Sequence, residues 1–455
     1  MIRVKYLAAD DGRELAYFPE TQRFFFVDDE MKGLIADMDR LSREEVTEKY
    51  GIGSRDYEEY LAKMVRQEKP ENKEADPARP AENVLPRLVI HLANDCNLRC
   101  VYCYAEGGAY HSSQDLMSRE MLDRTLDVFF GAYDRISMIQ FFGGEPLLNM
   151  DLIGYACEKV LGINKERGKE TIFGLVTNGT LINDRFIELV RKYRIAVTVS
   201  YDGTPEVNDR LRIFPNGAGT SEAVLGKMRK LQEADVPFSI EVTFSEYHRQ
   251  LGYSVMDIYD RLHKVFPEAG IHIAPAGGLP ECGLALQDSA AVFSQGVADA
   301  ASRAAAEPDK PVLCHATAQS LMEKLGKKDE GADGFFCGAG SSTLSVTTKG
   351  DIYPCFMLTD LQEVRFGNVT EGSPLADLYQ NENWQRFMRF SYKDDHPECR
   401  DCFINTICNA CVGQFFLNTG ELFRISPSDC ERYRRQTEEA IKGLAKIQEA
   451  RANRM

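Results

Sequence analysis

From residue 87 onward, apolar runs of strand length alternate with stretches whose apolar positions recur at helical spacing. The runs are RLVIHLA, SMIQFFGG, FGLVTN, AVTVSYDG, SIEVTFS and IHIAPA. Between most of them lie patterns such as REMLDRTLDVFFGAY and DRFIELVRKY, with apolar residues three and four apart. Six such β-then-α units predict an α/β fold with a parallel sheet, a partial (β/α)6 barrel over residues 87–330. In that architecture chemistry gathers at the C-terminal ends of the strands. The segments after the first four strands carry NDCNLRCVYCYAEGG, FFGGEP, TNGT and SYDG, so all four converge on one face.

Residues 1–67 form a unit of another kind. VKYLAAD and LAYFPETQRFFFVD predict an antiparallel ribbon turning at FPETQR. DEMKGLIADMDRL, SREEVTEKYG and RDYEEYLAKMVRQ then predict short helices, and Ser42 with Glu45 three residues on fits a capping box. A ribbon with short helices suggests a winged-helix-like domain. Residues 68–86, dense in charge and proline, are expected to be a linker. Residues 331–435 change to short strands, turns and cysteines. The charged segment 436–455 is expected to be a solvated surface helix.

Composition narrows the class. The chain carries 54 basic against 70 acidic residues, a net charge of −16, which argues against nucleic-acid binding because that affinity rests on cations meeting phosphates. No run approaches the roughly 18 to 20 apolar residues of a membrane span. The N-terminus lacks a signal-peptide pattern, so a cytoplasmic location with reduced thiols is expected. Thirteen cysteines are then more readily metal ligands than disulfides.

Cys96, Cys100 and Cys103 stand within one short loop. Three thiols are one short of a structural zinc site and one too many for a disulfide. An iron–sulfur cubane has four iron corners, so three thiolates leave one iron open to an outside ligand. The CX3CX2C spacing, with Tyr102 in the aromatic place before the last cysteine, resembles the radical S-adenosylmethionine (SAM) superfamily. The resemblance implies that the open iron binds SAM, and that electron transfer releases a 5′-deoxyadenosyl radical that takes a hydrogen atom from substrate. It further implies SAM contacts at Gly143, Gly144 and Glu145 of GGEP, at Asn178 and Ser200 at the ends of the third and fourth strands, and at Arg212, whose guanidinium suits a carboxylate.

The C-terminal cysteines resemble the SPASM extension of that superfamily. Cys337, a glycine (Gly350) separated from Cys355 by four residues, the run Cys399, Cys402, Cys408 and Cys411, and a final lone Cys430 keep its order. Cys408 and Cys411 have two residues between them where the family usually has three. By resemblance, Cys399, Cys402, Cys408 and Cys430 would hold one auxiliary [4Fe–4S] cluster, and Cys337, Cys355 and Cys411 the other, giving three clusters in all. The second set is a ligand short; Cys314 and Cys282 are the thiols left to complete it, and the alternative is a second open iron. Cys157, in a helical pattern, is expected to be buried.

The whole resembles SPASM maturases of ribosomally made peptides, closest to the thioether-forming sactipeptide and ranthipeptide group. This implies a Cys-containing precursor peptide whose leader is bound by the N-terminal domain, with a flavodoxin- or ferredoxin-type electron donor. Two related activities remain open: carbon–carbon crosslinking, and sulfatase maturation, whose enzymes place an acid where this chain has Phe356. A non-catalytic redox scaffold is the reading from another class. None of the seven histidines stands out in the sequence as a general base.

Overall fold

The computed structural model describes residues 2–65, 83–110, 112–278, 283–307, 314–327, 334–372 and 374–452. Most of the expected linker and Cys282 lie outside these residues. The N-terminal unit has strands β1 (Lys5–Ala8), β2 (Glu14–Phe18) and β3 (Arg23–Val27), paired antiparallel in that order. Helices α1 (Asp29–Met38), α2 (Arg43–Tyr50) and α3 (Ser54–Met64) follow. The capping box at Ser42 is formed: its hydroxyl accepts from the Glu45 amide, and the Glu45 carboxylate accepts from the Ser42 amide.

Strand β2 is buried on both faces, because its side chains alternate between two cores. Ala16 and Phe18 join Leu34, Ile35, Met38 and Val46 in a small core of the N-terminal unit. Leu15 and Tyr17, with Leu7, belong to the main core.

The main sheet contains nine strands among the described residues, in the order β12-β11-β10-β4-β5-β6-β7-β8-β9. Strands β4 (Val84–Ala93), β5 (Arg135–Gly143), β6 (Ile172–Thr177), β7 (Ala196–Ser200), β8 (Phe238–Phe244) and β9 (Gly270–Pro275) are parallel, the six runs the hydrophobic pattern predicts. The first begins at Val84, inside the stretch expected to be linker. Between them lie α4 (Arg119–Ala132), α5 (Met150–Arg167), α6 (Asp184–Tyr193), α7 (Pro205–Leu211), α8 (Ser221–Glu233), α9 (Glu246–Gln250) and α10 (Val255–Val265). Helices α11 (Ser289–Ala306) and α12 (Ala316–Lys327) follow β9. The partial barrel is therefore an α/β fold, as expected.

After α12 the chain returns to the sheet. Strand β10 (Thr343–Val346) pairs parallel to β4, and β11 (Asp351–Tyr353) and β12 (Gly367–Asn368) extend it antiparallel. Helices α13 (Glu382–Ser391), α14 (Pro397–Arg400), α15 (Val412–Thr419) and α16 (Pro427–Ala452) complete the chain. The last corrects an expectation. Helix α16 is not a solvated surface helix: it buries Gln436, Thr437, Ala440, Ile441, Gly443, Ala445 and Ile447 and packs along α11. Small residues permit the approach, since a side chain at Gly443 would strike the Cβ of Ala301. The charges seen in the sequence lie on its other face, in pairs such as Glu431 with Arg435 and Glu439 with Lys442.

Candidate active site and cluster sites

The cysteine loop is fixed to its surroundings by backbone. Arg99 and Val101 donate their amides to the carbonyls of Ile213 and Leu211, at 2.7 and 2.9 Å. On the other side the loop meets GGEP, where Gly144 and Glu145 donate to the carbonyls of Ala93 and Asp95, both at 2.8 Å. Glycine is required here. A Cβ on Gly108 would stand 2.6 Å from the Cα of Gly144, and one on Gly144 would overlap the Asp95 carbonyl.

Within this frame the three thiols lie close enough for Cys96 and Cys103 each to act electrostatically with Cys100. Burial pushes the Cys96 thiol up to about 12, with the nearby Glu145 carboxylate adding to the shift. Hydrogen-bond donors oppose it: the Leu98 amide reaches the Cys96 sulfur at 3.4 Å, Asn178 Nδ2 at 3.6 Å, and the Gly107 amide reaches Cys103 at 3.4 Å. Buried thiols with amides aimed at them suit thiolates whose charge a metal neutralises. Among the described residues no three Cys, His, Asp or Glu side chains converge tightly enough for a single metal ion. Zinc–sulfur bonds of about 2.3 Å need thiols nearly in contact, whereas a four-iron cluster holds them farther apart.

Glu145 is fully buried, and its carboxylate accepts from the Leu147 amide (3.0 Å), Thr177 Oγ1 (2.7 Å) and the Asn178 amide (2.7 Å). It clamps the GGEP loop to the end of β6. Burial raises its pKa, against the pull of those three donors and of Arg212. Asn178 continues the clamp, giving Nδ2 to Asn97 Oδ1 at 2.8 Å. Ser200 ends β7 on the same face.

Arg212 and Tyr102 meet in a network that includes a residue sequence reasoning left out. Arg212 Nη1 donates to the Tyr102 hydroxyl at 2.7 Å, and that hydroxyl donates to Asp202 Oδ2 at 2.7 Å. Asp202 is fully buried and is anchored by the Thr243 amide at 3.1 Å. The Nε of Arg212 is buried without a partner, a donor left for a ligand. The signal in the sequence was the acid of SYDG, two residues past a strand end.

The other seven cysteines fall into two groups. Cys355 is buried beside Cys337 and Cys411, whose charges add to the burial that pushes its thiol up. Cys411 stands at the N-terminus of α15, where burial raises its thiol and the neighbouring Cys337 adds to the shift. The thioether of Met357 stands 3.7 Å from the Cys411 sulfur. Cys399 lies with Cys430, Cys408 and Cys402, and burial pushes Cys399 and Cys430 up to about 12. Lys393 supplies cationic charge beside Cys408 and bonds its carbonyl at 3.3 Å. Cys314 is not brought to the trio: it is buried in the main core, near Tyr259 of α10. Cys157 is fully buried in α5.

Tyr104 links the first cysteine loop to the trio, for its hydroxyl is acted on by Cys103, Cys355 and Cys411 alike. Phe356, directly after Cys355, lies 4.4 Å from the ring of Phe142, which in turn meets His91.

Residues 90–247 match the model of the Radical SAM superfamily. The barrel of this chain is a radical SAM domain. Residues 337–403 match SPASM, an iron–sulfur cluster-binding domain, so the radical SAM barrel carries a SPASM domain behind it. A serine-type anaerobic sulfatase-maturating enzyme of Bacteroides thetaiotaomicron is 23% identical over 358 residues, 72% of this chain and 82% of that one. The solved structure titled native anSMEcpe with bound AdoMet and Cp18Cys peptide superimposes with a TM-score of 0.65 at 19% identity, over 81% of this chain and all of that one. Streptococcus suis SuiB bound to precursor peptide SuiA gives a TM-score of 0.52 at 14% identity, over 93% of this chain and 98% of that one. The chain spans between 42% and 82% of the length of the first three curated relatives it matches.

Proposed function

We propose that this radical SAM enzyme modifies a cysteine-containing, ribosomally made peptide by joining a cysteine sulfur to a carbon. The observation that carries the reading is the trio Cys337, Cys355 and Cys411: among the described residues no fourth thiol joins it, and Tyr104 ties it to the first cysteine loop. Cys337, Cys355 and Cys411 would hold an iron–sulfur cluster with three thiolates, which would leave a ligand position for a thiol of the substrate. When bound, three [4Fe–4S] clusters and SAM supply the electron and the carbon radical that removes a hydrogen atom from the peptide.

The residues of the chain do the rest. Cys96, Cys100 and Cys103 hold the first cluster, and Cys399, Cys402, Cys408 and Cys430 the distal one. Arg212 offers its free Nε to the carboxylate of SAM, and Gly143 and Gly144 let the backbone come close to it. Two structural neighbours, solved with the Cp18Cys peptide and with precursor peptide SuiA bound, support a peptide substrate. The N-terminal unit would bind the leader of the precursor by adding it as a strand beside β1 or β3, the two edges of its sheet. A flavodoxin- or ferredoxin-type protein would supply electrons in the cytoplasm.

The second reading is sulfatase maturation, favoured by the Bacteroides relative. Against it stands Phe356, packed at a tilt against Phe142, where those enzymes place an acid. Anaerobically reconstituted enzyme, given SAM, reductant and cysteine-rich candidate precursor peptides, is expected to lower the mass of its substrate by two hydrogens per crosslink. SAM cleaved to 5′-deoxyadenosine with the peptide mass unchanged would falsify the crosslinking reading.

A further inference from the structure

Strands β7, β8 and β9 place three residues in one row, Ser200 beside Glu241 and Glu241 beside His272. Their neighbours in sequence, Val199, Ile240, Val242, Ile271 and Ile273, are buried in the core under the helices. Alternation therefore turns Ser200, Glu241 and His272 to the opposite, open face of the sheet. Nδ1 of His272 lies 2.8 Å from both carboxylate oxygens of Glu241. Both side chains are partly exposed, at 43% and 35%. With Nδ1–H donated to Glu241, the lone pair sits on Nε2, which has no partner among the described residues.

The strands that carry the row lead into both halves of the site. On one side it begins at Ser200, at the end of β7. On the other, the loop after β9 touches α15, the helix capped by Cys411: the Gly278 amide donates to Asn418 at 3.0 Å, and Gly277 packs against Gln414. Gln414 lies in the first turn of α15, three residues after Cys411.

We propose that His272 is the proton acceptor for the peptide substrate, with Glu241 as the positioning residue that orients its imidazole. This rests on the peptide-crosslinking reading above. Forming one carbon–sulfur bond breaks a C–H and an S–H bond and removes two electrons. The C–H hydrogen leaves as an atom to the SAM-derived radical, the thiol proton goes to His272 Nε2, and the remaining electron goes to an auxiliary cluster. The base is supplied by the barrel wall because the position after Cys355 is occupied by Phe356.

Burial lowers the proton affinity of His272, but the hydrogen bond and charge of Glu241 outweigh it and hold the imidazole above its usual range. The other titratable group coupled to it is His315, which burial pushes down to about 4 and so keeps neutral.

The test uses full-length reconstituted enzyme, SAM, reductant and the cysteine-rich precursor peptide that it crosslinks in the experiment above. H272Q is expected to slow crosslinking by about 10²- to 10⁴-fold, with the peptide KM within about threefold and 5′-deoxyadenosine still formed. In the wild type crosslinking falls as pH drops and His272 takes up a proton; E241Q moves that limb to lower pH. In the protein without peptide, the ¹³C-histidine resonance missing from H272Q should titrate above free histidine and fall in E241Q. Equal crosslinking rates in H272Q and wild type, or a limb unmoved in E241Q, overturn the proton role alone. A wild type that cleaves SAM but leaves the peptide unchanged overturns the peptide reading, and the proton role with it.

Discussion

Tyr102 shows what a single hydroxyl does in this site. Its ring occupies the aromatic place of the cysteine motif, and its oxygen stands between Asp202 and Arg212. Tyr102→Phe leaves Arg212 buried with Nη1 as well as Nε unpaired. Losing one such charge-assisted bond costs about 1.5–3 kcal/mol, so SAM should bind about tenfold or more weakly, measured by equilibrium dialysis. An unchanged affinity would show that Arg212 is held in place by other contacts. At this scale the cysteines and GGEP were legible because their spacing is local in the chain. Asp202 and the Glu241–His272 pair were not, since their meaning comes from partners 31 to 100 residues away.

The parallel strands were legible as elements for the same local reason: each is a run of β-branched and aromatic residues bounded by turns. Strand β10 was hidden, because a four-residue run gains its identity from pairing with β4 some 250 residues earlier in the chain. Helix α16 misled through its charges, which occupy the exposed face while Ala440, Gly443 and Ala445 make the buried one. Its seam with α11 can be tested at Gly443. A helix-interior glycine replaced by a larger residue ordinarily gains propensity, by up to about 1 kcal/mol. Here the added side chain meets Ala301, and overpacking of about 1–3 kcal/mol outweighs the gain. Gly443→Val should lower the thermal midpoint; a midpoint that rises would mean the helices can separate freely.

For the whole molecule, acid should act through two buried imidazoles. His91 and His315 are fully buried, with neither ring nitrogen bonded. Burial pushes His91 down to about 3 and His315 to about 4. The unfolded chain takes up protons near 6.5, so below that pH it binds protons the folded state refuses. Stability is full above about 6.5 and falls as pH drops toward 4, by up to about 1.4 kcal/mol per pH unit for each histidine. Denaturant midpoints between pH 5 and 7.5 should show this slope, and it should flatten in His91→Leu and His315→Leu; an equal slope in those variants would assign the loss elsewhere. How the N-terminal unit sits on the rest was not legible, because its contacts are made across nearly the full chain: Tyr17 meets Phe403 edge-on, Arg3 donates to the Cys402 carbonyl at 3.4 Å, and Lys5 pairs with Glu438. Such surface ion pairs are worth little, and the apolar face of β2 holds the seam. A strand shared by two cores cannot be lifted out with either one. Grafted onto a related barrel, the first 65 residues would carry Leu7, Leu15 and Tyr17 into water unless the recipient offered the counterpart of Phe403, so the N-terminal unit cannot be exchanged without the surface it packs on.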